Sequence, residues 1–108
     1  MRRVEVTYRP EAISDIRQIY RAVLAKSRSR RVAARYAQRI YQRCEKIGDV
    51  PLGGRPRDDL RPGLRSVPFE KSALILYQVD ESVLIINVFP RGQDYESLFQ
   101  DRTVPSSK

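Results

Sequence analysis

The sequence predicts an α+β domain of order β-α-α-β-β-β, with a helical hairpin packed on one face of a small, mainly antiparallel sheet. Three observations predict it. Apolar residues recur at helical spacing in two runs between Pro10 and Ile47, with only Ser27-Arg28-Ser29 between them. Three strand-like runs follow a Gly/Pro-rich loop, separated by the polar triplets Glu70-Lys71-Ser72 and Asp80-Glu81-Ser82. One more alternating run, at residues 3–8, precedes the helices.

In chain order, Val4, Val6 and Tyr8 share one side of a half-buried strand. Pro10 suits a first helical position, where its missing N–H is no loss, and Glu11 and Asp15 suit the positive end of the helix dipole. Ala12, Ile13, Ile16, Ile19, Tyr20, Val23 and Leu24 then predict a helix over residues 10–26. Ser29 offers a hydroxyl cap to a second helix, whose stripe is Val32, Tyr36, Ala37, Ile40, Cys44 and Ile47. Gly48 is expected at C′ and Pro51 stops continuation. Strands are predicted at residues 64–69, 73–79 and 83–89, forming an antiparallel meander. The middle run is apolar on both alternations, which predicts a central strand. Residues 91–99 read either as a short helix or as an extension of the sheet. One layer of helices covers one sheet face, so the other is expected to be exposed or covered by a partner.

Size and composition set the class. The chain has 108 residues at 12.6 kDa and is 41% apolar, enough for one domain, expected over residues 1–102 with a flexible tail at 103–108. No run approaches the roughly 18 apolar residues of a membrane span. Met1-Arg2-Arg3 leads into a strand pattern rather than an apolar signal segment, so a soluble cytoplasmic chain is expected. There is no histidine and one cysteine, Cys44. Ser-His-Asp and Cys-His catalysis, ordinary zinc sites and an intrachain disulfide are therefore excluded. Any catalysis would run on Arg, Lys, Tyr, Ser or carboxylates.

The net charge of +8 is unevenly placed. Residues 1–50 hold 13 basic and 5 acidic residues, hence 13 − 5 = +8, while residues 51–108 hold 8 of each and are neutral. Residues 26–43 carry seven positive charges and no negative one, which points to an acidic partner, either nucleic acid or protein. Within that segment Arg31, Arg35, Arg39 and Arg43 recur every fourth residue of the second helix. They read equally as a solvated face, with stems over the core edge, or as a docking surface. Arg55, Arg57, Arg61 and Arg65, with Arg91 and Tyr95 nearer the C-terminus, form a second candidate set. Guanidinium groups grip phosphates and a tyrosine stacks on a base. For each residue singly, surface solvation or a cross-sheet pair for Arg65 is the simpler reading.

Gly53-Gly54-Arg55 fails as a phosphate loop, since no Gly-Lys-Ser/Thr follows. Asp58-Asp59, Asp80-Glu81 and Asp94/Glu96 are read as solvated acids rather than a Mg²⁺ site. Cys44 lies on an apolar stripe and is read as core. No cofactor is expected.

Several local motifs carry a resemblance. They are Ala12-Ile13-Ser14-Asp15-Ile16, residues 36–40, Pro51-Leu52-Gly53-Gly54-Arg55 and Leu60-Arg61-Pro62-Gly63-Leu64-Arg65. Leu74-Ile75-Leu76-Tyr77-Gln78-Val79, residues 83–88 and Arg91-Gly92-Gln93-Asp94 complete the set. In this order the chain resembles the RelE/ParE superfamily of type II toxin–antitoxin toxins. The resemblance implies one of two activities: ribosome-dependent mRNA cleavage in the RelE branch, or inhibition of DNA gyrase by binding in the ParE branch. Aligned through Tyr77, the RelE-type strand arginine falls at Leu74, the exit arginine at Gln93 and the terminal tyrosine at Phe99. The basic pair of the first meander strand falls at Arg65 and Val67. An RNase built this way would lack its general acid and base, and Gly63-Leu64-Arg65 looks ParE-like.

The resemblance therefore implies a ParE-like gyrase inhibitor, not an enzyme, neutralised by a ParD-like antitoxin. It implies neither a membrane nor sequence-specific DNA binding by the toxin alone. The basic half, with Arg31, Arg35, Arg39 and Arg43, would receive an acidic antitoxin segment. Arg55, Arg57, Arg61, Arg65, Arg91 and Tyr95 would be target-binding candidates. The alternatives are a RelE-like mRNA endonuclease using that last set, or an inactive toxin fold that only binds.

Overall fold

The computed structural model describes residues 3–103. The elements are β1 (Val6–Tyr8), α1 (Pro10–Ser27), α2 (Arg30–Ile47), β2 (Arg55–Pro56), β3 (Leu64–Phe69), β4 (Ala73–Val79), β5 (Val83–Pro90) and α3 (Tyr95–Thr103). The α+β class and the helical hairpin on a mainly antiparallel sheet are as expected. Strand order is β1-β5-β4-β3-β2, so the doubly apolar β4 lies in the middle. β1 runs parallel to β5, an edge pairing that strand periodicity does not reveal; the other pairs are antiparallel.

Both long helices begin as the sequence dictates. Pro10 opens α1, and the Ser29 hydroxyl accepts from the Val32 N–H, 3.2 Å away, to cap α2. Gly48 corrects one expectation. It caps α2 at φ −61, not in the left-handed conformation, and the close approach of the chain leading into β1 explains the glycine. The Val4 N–H donates to the Gly48 carbonyl at 2.9 Å, and a Cβ at Gly48 would lie 2.3 Å from the Val4 carbonyl oxygen.

The first core lies between the hairpin and the sheet. Ala12, Ile16 and Ile19 of α1 and Ile40, Cys44 and Ile47 of α2 meet Val67, Phe69, Ile75, Tyr77, Val83, Ile85 and Val88. Along β5 the helix-facing residues change parity, from Val83 and Ile85 to Val88. A bulge does this: Leu76 faces Asn87 and Tyr77 faces Ile85, which leaves Ile86 as the extra residue. The buried carboxylate of Asp15 on α1 accepts from the Val88 N–H and the Asn87 side-chain amide, both at 3.0 Å. One acid therefore satisfies two buried donors at the bulge.

The second sheet face is not left bare. α3 folds back over it and buries Phe99 completely against Leu64, Leu76, Ile86 and Phe89, with Leu98 and Tyr95 beside it. This resolves residues 91–99 as a turn followed by a helix, and it corrects the expectation that this face is exposed or covered by a partner, since the chain's own α3 supplies the cover around Phe99. α3 continues through Thr103; the rest of the expected tail lies outside the described residues. Among the described residues no helix is long and apolar enough to cross a membrane.

Candidate functional site

The arginine stripe of α2 is split by its surroundings. Arg31 and Arg35, near the helix start, are exposed. Arg39 instead donates from Nε to Glu70 Oε2 at 2.9 Å and lies 5.1 Å over the Tyr36 ring. The Glu70 carboxylate raises the Arg39 pKa further. Arg43 donates from Nε to the Pro68 carbonyl at 3.3 Å. All but Arg43 of the stripe is thus exposed, and Arg39 and Arg43 also tie α2 to the β3–β4 hairpin through surface contacts. Between α2 and the end of β3 runs a groove of about 560 Å³, with Arg39, Tyr41, Arg43, Lys46, Phe69 and Glu70 in its walls. Glu70, at the hairpin tip, has φ +52, a left-handed conformation unusual for a residue with a side chain.

The second arginine set is divided between the two sheet faces and is largely engaged internally: Arg57, Arg61 and Tyr95 gather with α3, whereas Arg65 joins the loop held by Tyr77 of the first core. Arg57 is buried, contrary to both the solvated and the target-gripping expectation. Its guanidinium spans Asp59 at 3.0 and 2.7 Å, reaches Glu96 Oε2 at 2.6 Å and donates to the Tyr95 hydroxyl. Hydrogen bonding to Asp59 is the chief reason its pKa is raised, and the same pairing lowers that of Asp59. Arg61 lies 5.4 Å over the Phe99 ring and donates to Gln78 Oε1 at 2.7 Å. Burial, then the nearby charge of Arg9, lowers the Arg61 pKa. Arg55 and Arg91 are exposed, Arg91 donating to the Lys71 carbonyl at 3.1 Å.

Arg65 pairs with a loop rather than across the sheet. It donates to the carbonyls of Leu52 at 3.0 Å and Gly54 at 2.8 Å. From the opposite direction the Tyr77 hydroxyl accepts from the Gly54 N–H at 2.9 Å and donates to the Pro51 carbonyl at 2.8 Å. Gly54 is glycine because the Tyr77 ring lies against it, not because a phosphate does.

Near the start of α3, a cleft of about 540 Å³ opens on the second face, walled by Lys71, Leu74, Arg91, Gln93 and Tyr95 and shared at one side by Glu70. It offers two cations over an apolar floor, a combination suited to a carboxylate beside an apolar group. Leu74 and Gln93, where the RelE-type alignment places arginines, both line it. Phe99 lies in the core without a hydroxyl. Among the described residues no group of three His, Cys, Asp or Glu side chains is arranged to hold a metal.

Residues 6–95 match the family model described as the ParE toxin of the type II toxin–antitoxin system parDE. The chain belongs to the ParE toxin family. No relative among the curated proteins matches. Among solved structures, one titled as the chromosomal ParDE TA system from P. aeruginosa superposes with a TM-score of 0.71. It is 18% identical, over 81% of this chain and 95% of that one, a likeness of fold.

In this ParE family member the sequence motifs acquire physical roles. Leu52-Gly53-Gly54, Arg65 and Tyr77 are one hydrogen-bonded unit, although they are far apart in the chain. Glu70 and Lys71 were legible only as a polar hairpin connection. Their place between the groove and the cleft comes from the fold, since Arg39 and Glu70 are 31 positions apart.

Proposed function

We propose that this toxin acts without chemistry of its own, by binding and poisoning DNA gyrase, and that a ParD-like antitoxin neutralises it. Family membership makes it a type II toxin; the composition of the second-face cleft carries the choice between branches. Leg by leg, the groups that would activate a ribose 2′-OH and protonate the leaving oxygen are replaced: Leu74 is apolar, Gln93 is a neutral amide and Phe99 is buried. Tyr95, the nearest phenol, accepts from Arg57 and is held beside Glu96. The exposed Arg31 and Arg35 support an acidic neutralising partner, steered by charge.

Purified toxin added to gyrase and relaxed plasmid is expected to block supercoiling or trap cleaved DNA, and the effect should disappear with the antitoxin present. Untouched supercoiling together with mRNA cleavage on translating ribosomes would transfer the protein to the RelE-like reading. If neither activity is detected, the inactive binding module becomes the better account.

A further inference from the structure

The β3 edge next to α2 is built to refuse a strand. β2 pairs only with Ser66 and Arg65, so residues 67–69 extend beyond it. Pro68 has no N–H to offer, and its carbonyl already accepts from Arg43. A partner passing this edge must be recognised through side chains rather than through a backbone ladder.

Side-chain recognition is available on both sides of the hairpin tip. The groove beside α2 combines the apolar surfaces of Tyr41 and Phe69 with Arg39, Arg43 and Lys46. The second-face cleft combines Leu74 with Lys71 and Arg91. Glu70 belongs to both walls, and its carboxylate is spent on Arg39. Glu45, the other acid of the first groove, is already bound by the Tyr8 hydroxyl at 2.7 Å and by Arg3. Apolar pockets ringed by cations on either side of one displaceable carboxylate match an extended acidic chain with intermittent apolar residues.

We propose that an extended acidic segment of a partner protein binds round the β3–β4 hairpin, from the Arg39–Arg43 groove into the Lys71–Arg91 cleft, and displaces Glu70 from Arg39. Glu70 is then an internal stand-in for the partner's carboxylate. This rests on the reading of an acidic neutralising partner and gives that partner a path.

The test uses the full chain and a fluorescein-labelled peptide of repeating Glu-Leu-Asp, about 15 residues long, which when extended reaches roughly 50 Å and so exceeds the molecule's greatest extent of 41 Å. Anisotropy should show binding, with none for a Lys-Leu-Lys counterpart. Arg39→Ala and Arg91→Ala should each weaken it severalfold. Glu70→Gln should tighten it by up to about fivefold, the value of removing one exposed competing ion pair. Glu70→Gly, which also relieves the left-handed backbone, should give the same gain, with circular dichroism verifying the fold.

The proposal fails if the acidic peptide does not bind, or if the Glu70 variants bind it no more tightly than the parent. It also fails if Arg39→Ala and Arg91→Ala are silent. Competition by a single-stranded oligonucleotide with the same Glu70 gain would make this a phosphate-backbone surface instead. Self-association that strengthens in Glu70→Gln would assign it to a second copy. Gyrase inhibition is read separately. A toxin that inhibits gyrase but shows no Glu70 effect overturns this inference alone, and the converse overturns only the gyrase reading.

Discussion

A Cβ on residue 54 would lie 2.4 Å from the Tyr77 hydroxyl and 2.8 Å from its ring, closer than packed atoms come. Tyr77 is fully buried and holds the 51–54 loop through two hydrogen bonds, while Arg65 holds the same loop through two more. Gly54→Ala is therefore expected to lower stability by about 1–3 kcal/mol through overpacking. Tyr77→Phe strands the Gly54 N–H and the Pro51 carbonyl, a loss of roughly 1–3 kcal/mol. Since both substitutions release one loop, the double variant should lose less than the sum. Urea midpoints with a common m-value check this, and strict additivity would mean the loop is not a unit.

At the scale of elements, α3 is the least self-sufficient part. Its apolar contribution is concentrated in Tyr95, Leu98 and Phe99, and its polar anchor is Arg57, reaching from the chain after β2. Arg57→Ala should loosen the helix selectively. Amide exchange over residues 95–103 would quicken while α1 and β4 keep their protection, and binding of an apolar dye would rise as Leu64, Leu76 and Phe89 become accessible. Equal protection of α3 in the variant would show that Phe99 burial alone suffices. This dependence explains what the sequence could and could not disclose. The two long helices and the meander write themselves as local periodicities, each with its own cap or turn. α3 has too few apolar positions for a period, and its partner lies 39 residues away at Glu96. The β5 bulge and the parallel β1 pairing were equally hidden, because they depend on Asp15 and on the crossover rather than on local pattern. Of the candidate site, the charged residues were legible, but not their internal partners: Arg39 with Glu70, Arg57 with Tyr95, and Arg65 with the loop.

The molecule as a whole is basic and carries its protons tenaciously at high pH. Arginine supplies most of the charge, so raising pH removes little of it, whereas several buried weak acids resist ionisation. Burial, then the neighbouring Glu45, pushes the Cys44 thiol up to about 12. Burial likewise raises Tyr41 and Tyr77, and burial with a hydrogen bond to Glu45 raises Tyr8. An unfolded thiol releases its proton near about pH 8.5 and an unfolded phenol near about 10. Above those values the folded chain holds more protons than the unfolded one, so stability must fall as pH rises. The thiol contribution is fully present below about pH 8.5 and is lost on the way to about 12, at up to roughly 1.4 kcal/mol per pH unit. Cys44→Ala will be less stable throughout, because it leaves a cavity in the first core, so slopes rather than midpoints are compared. Urea unfolding at successive pH values should show the parent declining from about pH 8.5, while the variant holds level until the tyrosines begin to titrate near about 10. Identical slopes in the two proteins would mean that Cys44 is not held protonated by the fold.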